Sequence, residues 1–325
     1  MGQYIIRRLL YLLPILLGVN IITFFLFFIV NSPDDMARIH LGSKRINAQQ
    51  ITQWKVTHGY DQPLFYNPKE SGIKKITHTL FVAQSIKLFS FDFGLSDNGR
   101  DISSDIQQRM WPSLSIALPA LILGLCLNIS LALLMIFFRE SYIETTGAII
   151  CIILMSISGL FYIIGLQFIF AKLFNWFPIS GYQSGLLSIK FVALPVLVSI
   201  IASIGSDTRW FRTVFLEELN KDYVLVAKAK GLSASKVLFK HILKNALLPI
   251  LTLVITMLPS LFLGSLLLES FFGIPGLGSY TIDAIQQQDF AIVKSMVFIG
   301  ALLYITGLLL TDLAYTTADP RVKFN

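Results

Sequence analysis

Few side chains in this sequence are placed to do chemistry. The four histidines, His40, His58, His78 and His241, are scattered, and no His-Glu-x-x-His pattern pairs any two of them on a helix. Cys126 and Cys151 both sit inside apolar runs, where a thiol behaves as a small hydrophobe, and their spacing fits neither a disulfide framework nor a metal site. No Gly-x4-Gly-Lys-Ser/Thr loop is present to cradle nucleotide phosphates. The one dense cluster of reactive types is cationic: Arg209, Arg212, Lys221, Lys228, Lys230, Lys236, Lys240 and Lys244. Within it the stretch from Asp222 to Pro249 reads as helix, break, helix. Gly231 offers a C′ position where positive φ costs nothing, and Ser233 is a suitable N-cap. Val237, Leu238, His241 and Ile242 recur at helical spacing, with lysines on the other side. Two readings are open. The small residues Ala227 and Ala229 would let the short helix enter a groove on a partner, as a rigid lever. Alternatively the lysines snorkel to anionic headgroups, which is what composition alone favours.

The elements that carry this stretch are apolar. Of 325 residues, 54% are hydrophobic and 14% charged, against about 25% charged in an ordinary soluble domain. A soluble chain of this size would still need a polar surface, so the bilayer is the simplest solvent for it. The net charge of +7 falls between apolar runs, where Lys and Arg set membrane orientation, rather than in a nucleic-acid-binding patch. A spanning helix needs about 20 apolar residues. Six candidates meet or approach that length: Leu9–Val30, Leu114–Phe138, Gly147–Phe170, Ile189–Ile204, Ala246–Leu268 and Val293–Leu310. The fourth is short and contains Pro195. Arg7-Arg8 before the first run resembles a signal peptide, but the run is too long for a signal h-region, so it reads as a retained span. Arg7 and Arg8, Arg139, the 209–244 cations, and Arg321 and Lys323 then share one side. The positive-inside rule makes that side cytoplasmic, with both termini.

The chain divides on this reading into a stub and first span (1–30), a large extracytoplasmic segment (31–113), a core of five spans (114–316) containing a cytoplasmic loop (207–245), and a cytoplasmic tail (317–325). In the outer segment, Gln49–Lys55 reads as a short helix, and Gly59–Pro63 and Phe91–Gly94 as turns. No ionisable residue falls mid-span; Lys190, Glu269, Lys294 and Asp312 lie at span ends. That argues against an ion-coupled secondary transporter and against an intramembrane enzyme, since both need such groups.

The basic stretch resembles the coupling-loop motif of ABC importer permeases, in the form found in the dipeptide and oligopeptide (peptide/nickel) importer family. The match runs through Asp222-Tyr223-Val224, then Ala227-Lys228-Ala229-Lys230-Gly231-Leu232-Ser233, then His241-Ile242-Leu243-Lys244-Asn245-Ala246-Leu247-Leu248-Pro249. Leu225-Val226-Ala227 stand where the broader permease pattern has Glu-Ala-Ala, a departure usual for the peptide subgroup. Further segments resemble the family in order: Arg7 to Val19, Gly59 to Leu64 with Tyr60 in place of Leu, and Phe91 to Gly94 with Phe91 in place of Gly. Asn175 to Tyr182, Glu269 to Gly278 and Asp319 to Val322 follow. Asp34-Asp35 departs from the family's usual Pro-Gly-Asp-Pro.

The resemblance implies an all-α membrane protein with six transmembrane helices, the type I ABC importer permease fold, and a large extracytoplasmic loop between spans 1 and 2. It implies a B-type, non-catalytic membrane subunit in the bacterial cytoplasmic (inner) membrane. The partners implied are a second homologous permease, two cytoplasmic ABC ATPases that bind the ATP and Mg, and an extracytoplasmic peptide-binding protein; this chain itself would hold no cofactor. In that frame Asp222, Tyr223, Ala227, Ala229, Gly231, Ser233, His241 and Asn245 form the ATPase-coupling element, with Tyr223 and Ala227 packing against the partner. The Pro275-Gly276-Leu277-Gly278 loop lies near an outer gate or is a plain turn between spans. Glu269 is a gate or subunit carboxylate, or an interfacial acid with no role. The substrate implied is a di- or oligopeptide, with a nickel chelate or another small solute as the alternative.

Overall fold

The computed structural model describes residues 2–42 and 47–318. These residues are helical throughout, with one isolated antiparallel bridge between Leu95 and Asp101. Helix α1 (Gly2–Phe25) continues through a wider π turn (Leu26–Val30), and α2 (Pro33–Leu41), α3 (Ala48–His58), α4 (Lys74–Thr77) and α5 (Leu80–Phe89) follow. Then come α6 (Ile102–Phe137), α7 (Tyr142–Met155), α8 (Gly159–Leu166, extended by a π segment to Leu173) and α9 (Ser188–Leu219). The chain finishes with α10 (Asp222–Ala229), α11 (Ala234–Val237, running into a π turn to Ile242), α12 (Leu243–Leu263), α13 (Leu266–Phe272), α14 (Leu277–Gln287) and α15 (Phe290–Ala318).

Five stretches are long and apolar enough to cross a bilayer: Leu13–Val30, Ile102–Phe137, Ser188–Leu219, Ala234–Leu263 and Phe290–Thr311. Helices α7 and α8 supply a sixth if taken as one span, bent by 91° at residues 156–158. The sequence Ser156-Ile157-Ser158 holds no proline to announce that bend. Carbonyls before the bend take side-chain donors besides backbone ones: the Tyr162 hydroxyl bonds Leu154 O at 2.8 Å and Ser156 Oγ bonds Ile152 O at 2.9 Å. Local support of this kind is what lets a broken helix persist where water is absent.

The helices differ from the sequence expectation at three places. The fourth span, read as short, is a continuous helix of 32 residues, about 48 Å long at 1.5 Å per residue. Its second half is amphipathic, burying Phe211, Val214, Phe215 and Glu218, so it continues as a helix beyond the apolar window. The fifth span ends at Leu263, where Gly264 takes φ +72 and starts a separate helix, α13. Asp207 lies well inside α9, beyond the apolar stretch where the sequence reading ended the fourth span. The expected motif at Asp319–Val322 lies outside the described residues.

The chain groups into two units. The first holds Met1–Gln107 with Asp283–Ile305, the second Gln108–Ile282 with the chain from Thr306. In the first unit, Phe24, Phe28, Met36 and Leu80 form a buried aromatic-rich core against Trp54, Tyr60 and Phe81. Its short helices are fixed by local caps. Ser32 Oγ accepts from Asp35 N–H ahead of Pro33 at the first helical position, and Asn47 with Gln50 makes a capping box on α3. Asp289 is buried; it accepts from Asp97 N–H at 2.9 Å and Ile292 N–H at 3.2 Å, which ties the 97 loop to the start of α15. Burial, and the nearby Asp97 and Asp289 carboxylates, raise the Tyr60 pKa above its ordinary value.

The second unit has two cores. One joins α6, α9, α10 and α12 through Ala132, Phe211, Phe215, Val224, Ala227 and Ile242. The other joins α6, α8, α9 and α13 through Ile116, Tyr162, Val192, Leu194, Leu268 and Phe272. Helices α6 and α9 run through both, so a displacement of one core is carried along two stiff rods to the other.

Candidate functional site

Three features of the second unit could act on another molecule: a hairpin, a buried-carboxylate turn and the cavity that lies within the unit. The hairpin is α10 and α11 with the turn between them. Asp222 opens α10, and Lys221 occupies the N-cap. Gly231 takes φ +74, and Leu232 N–H returns to Ala227 O at 3.3 Å. Nothing lies within 4 Å of where a Gly231 side chain would project, so conformation rather than space demands glycine there. Ser233 is the N-cap of α11 by backbone geometry, without a side-chain hydrogen bond.

The hairpin is held from inside. Val224, Ala227, Val237 and Leu238 are buried in the core shared with α6, α9 and α12. The Tyr223 hydroxyl donates to the Glu218 carboxylate at 2.8 Å and also bonds Asn245; burial raises its pKa, with Glu218 adding to the rise and Asn245 opposing it. Tyr223 and Ala227 therefore face this chain's own helices, not outward as the resemblance implied. His241 is half-buried in the π turn, while Asp222, Ala229, Ser233 and Asn245 are exposed. The outward side carries residues the sequence reading did not single out: Leu225 is 61% exposed, Val226 52% and Phe239 58%. The signal for Leu225 and Val226 was present, as apolar residues directly before the small Ala227.

The turn is built around Glu269, the first-turn acid of α13, which is 1% exposed. Its carboxylate accepts from the backbone N–H groups of Ser265 at 3.1 Å, Gly278 at 2.8 Å and Ser279 at 3.1 Å. Ser113 on α6 bonds the same carboxylate and accepts from Leu277 N–H at 2.8 Å. Burial raises the Glu269 pKa, and these donors, Ser113 foremost, restrain the rise. A Cβ at Gly264 or Gly276 would collide with the carboxylate, and one at Gly278 would lie 2.7 Å from the Ser265 backbone. Of the glycines expected in a gate loop, Gly276 packs against the Glu269 carboxylate and Gly278 donates its N–H to it, and Pro275 precedes them in the same reversal; Gly264 was not among those expected. Arg109 lies 4.5 Å over the Tyr280 ring, pinning the start of α14 to α6.

A cavity of about 390 Å³ lies among α6, α9, α12 and α13. Glu269 and Gly264 border it, and Ser199, Ser203 and Asp207 line it from α9. Sequence reading missed Asp207 because its hydropathy window stopped at Ile204. In the first unit it also missed Lys294, placed at a span end. Lys294 is buried; its Nζ donates to Gln84 Oε1 at 2.6 Å and lies 5.6 Å over the Phe28 ring. Partners 210 residues apart leave no local signal. Among the described residues no group of three or more His, Cys, Asp or Glu is arranged to hold a metal ion.

Comparison with known proteins gives matches over nearly the whole length. Residues 129–324 match the family described as binding-protein-dependent transport system inner membrane component. Residues 1–91 match the corresponding N-terminal family. The oligopeptide transport system permease protein AppB of Bacillus subtilis is 30% identical over 334 residues, covering all of both chains. The dipeptide transport system permease protein DppB of Lactococcus lactis is 28% identical over 327 residues, covering 99% of this chain and all of the relative. A putative peptide transport system permease protein of Brucella abortus is 29% identical over 331 residues, again covering both chains fully.

Proposed function

The chain belongs to the family of binding-protein-dependent transport system inner membrane components, and we propose that it is the permease subunit of an ATP-driven importer of di- or oligopeptides. The peptide assignment draws on the similar permeases, which are named for oligopeptide and dipeptide transport. The chain is a transport component and not itself an enzyme. Both termini lie in the cytoplasm, the 31–113 segment faces outward, a second permease completes the pathway, and two ATPases supply energy. A binding protein delivers the peptide, and ATP and Mg reside on the ATPases.

The observation that carries this reading is the two-sided hairpin. Its inner face is locked to α6, α9 and α12, while Leu225, Val226 and Phe239 remain exposed on the outside. A rigid element with one finished and one unfinished face suits a lever seated in a partner. When ATP closes the ATPase pair, the displaced hairpin moves the core around Phe211 and Phe215. Helices α6 and α9 transmit that movement to the core around Leu268 and Phe272, beside the Glu269 turn. Alternating access then follows from biasing a two-state bundle at one end.

The test combines capture with uptake. Cysteine at Val226, in a background lacking Cys126 and Cys151, should crosslink to an ATPase subunit in membranes. Deleting the permease should abolish growth on di- and oligopeptides as the source of a required amino acid. A hairpin cysteine that captures only lipid-facing reagents, or a deletion strain with normal peptide growth, would overturn the proposal.

A further inference from the structure

Helix α9 presents a polar stripe to the cavity of the second unit. Ser199, Ser203 and Asp207 recur every fourth residue, so they stack on one face, over about 12 Å. Across from them α12 supplies Leu253, Met257 and Leu261 at the same period, an apolar wall. Helix α6 lines the cavity with Ala117, Ala120 and Gly124; a side chain at Gly124 would meet Ser203 Oγ at 3.8 Å. Small residues there keep the space open beside the stripe.

The charge balance is incomplete. Among the described residues that line the cavity there is no Lys, Arg or His, and its two carboxylates differ in how they are occupied. Both Glu269 oxygens already accept backbone N–H groups. Among the described residues, the groups that meet Asp207 are neutral: Asn128 Nδ2 at 3.3 Å and Ser206 Oγ at 3.1 Å, with the Ser203 hydroxyl. Further along the same helix, Arg209 is exposed and Arg212 is spent on Glu144 of α7. A half-buried carboxylate beside an apolar wall, supplied with neutral donors and no cation, lacks its best partner.

We propose that Asp207 is the subsite that receives the α-ammonium of the peptide in transit, with Ser203 and Ser199 hydrogen-bonding the following amide groups. The proposal rests on the peptide-importer reading above. A primary ammonium brings one positive charge and three donors, which match an acceptor-only carboxylate flanked by hydroxyls. The cavity volume falls in the range that holds a small ligand, and the apolar wall of α12 accommodates varied side chains without selecting among them. The attraction must be modest for passage, and neighbouring hydroxyls that share the carboxylate keep it so.

The test uses the complete importer in liposomes with its own ATPases and binding protein. The readout is peptide delivered per ATP hydrolysed, for Ala-Ala and Ala-Lys. Asp207→Asn should lower this ratio at least fivefold for both peptides, and Asp207→Glu should stay within twofold of the parent. A loss confined to Ala-Lys would place a lysine side chain, not the α-ammonium, at Asp207 and overturn the assignment; an unchanged ratio for Asp207→Asn would do the same. A parent importer that moves no peptide would remove the functional reading itself, which the other outcomes leave intact. Independently of any variant, a dipeptide of alanine and benzoylphenylalanine should photolabel the unaltered complex within residues 113–125 or 199–207. Labelling of this chain confined elsewhere would overturn the subsite.

Discussion

The reversal around Gly276 and the reversal around Gly231 both join helices of the same unit, yet they are finished in opposite ways. At Gly276 every direction is occupied by this chain. Glu269 gathers three backbone N–H groups and the Ser113 hydroxyl, and three glycines exist because a Cβ would strike that assembly. At Gly231 the space beyond the backbone is open, and Leu225, Val226 and Phe239 stand exposed around it. The first turn is complete within the chain and must move as a body. The second is packed on its inner side, while Leu225, Val226 and Phe239 are exposed, and on the proposal above that face docks a partner. If the hairpin is the coupling element proposed above, this asymmetry is what it needs: a rigid turn at the far core and an unfinished face at the hairpin.

The largest effect that could break the comparison is Glu269→Ala. It leaves two buried N–H donors, of Gly278 and Ser279, and the part-buried one of Ser265 without an acceptor; at about 1–3 kcal/mol for each buried group, a loss of at least roughly 2 kcal/mol is expected. The detergent-solubilised chain should show it as an early thermal transition, and Gly276→Ala should follow the same direction. A variant as stable as the parent would mean that the turn is not self-contained.

Smaller is the effect of the proton alone. Burial raises the folded pKa of Glu269 above its ordinary value of 4.5. Between that value and the folded one, the folded chain binds more protons than the unfolded chain, so stability falls as pH rises through the window. Below 4.5 and above the folded pKa this residue adds no slope. Glu269→Gln should remove the slope, which melting from pH 4 upward would check.

At the other turn, Gly231→Ala strains only the backbone. Placing a non-glycine residue at φ +74 costs about 1–2 kcal/mol, with no steric addition because the site is open. Insertion into membranes should be normal and peptide uptake reduced. Gly231→Pro is harsher, since proline's φ near −65° is incompatible with this turn. Uptake at the parent level in both variants would show that the bend is not part of the coupling path.

What the sequence made legible at these two turns follows from how local the causes are. Gly231, Ser233 and the helix starting at Asp222 are written in adjacent residues, and the structure has the break and both helices where those residues stand. Which way Tyr223 and Ala227 face is decided by Phe215, Glu218 and Asn245, which the hairpin's own periodicity does not reveal. Gly276 and Gly278 near Glu269 were visible, but their reasons, the carboxylate beside Gly276 and the Ser265 backbone beside Gly278, appear only in three dimensions. The length of α9 was hidden for a different cause. Asp207 and Arg209 lower hydropathy past Ile204, while helix continuity is maintained by Phe211 and Phe215 packing into the core. The bend between α7 and α8 had no breaker to mark it and is held by the hydroxyls of Tyr162 and Ser156.

The smallest effect on the chain's own stability is expected where the comparison is sharpest. Leu225 touches the outside of the hairpin and is mostly exposed, so Leu225→Ser should change stability by no more than about 0.5 kcal/mol, as for surface positions generally. If that face is an unfinished interface, the same substitution should weaken co-purification with the ATPases and lower uptake severalfold. Ala227→Ser, two residues away but buried in the core with Val224, should do the reverse, destabilising the hairpin while leaving the docking surface chemically unchanged. Measuring thermal stability and ATPase retention for both variants separates inside from outside. Two variants that lost stability and partner together would erase the distinction between the hairpin's two faces, and with it the contrast to the Glu269 turn.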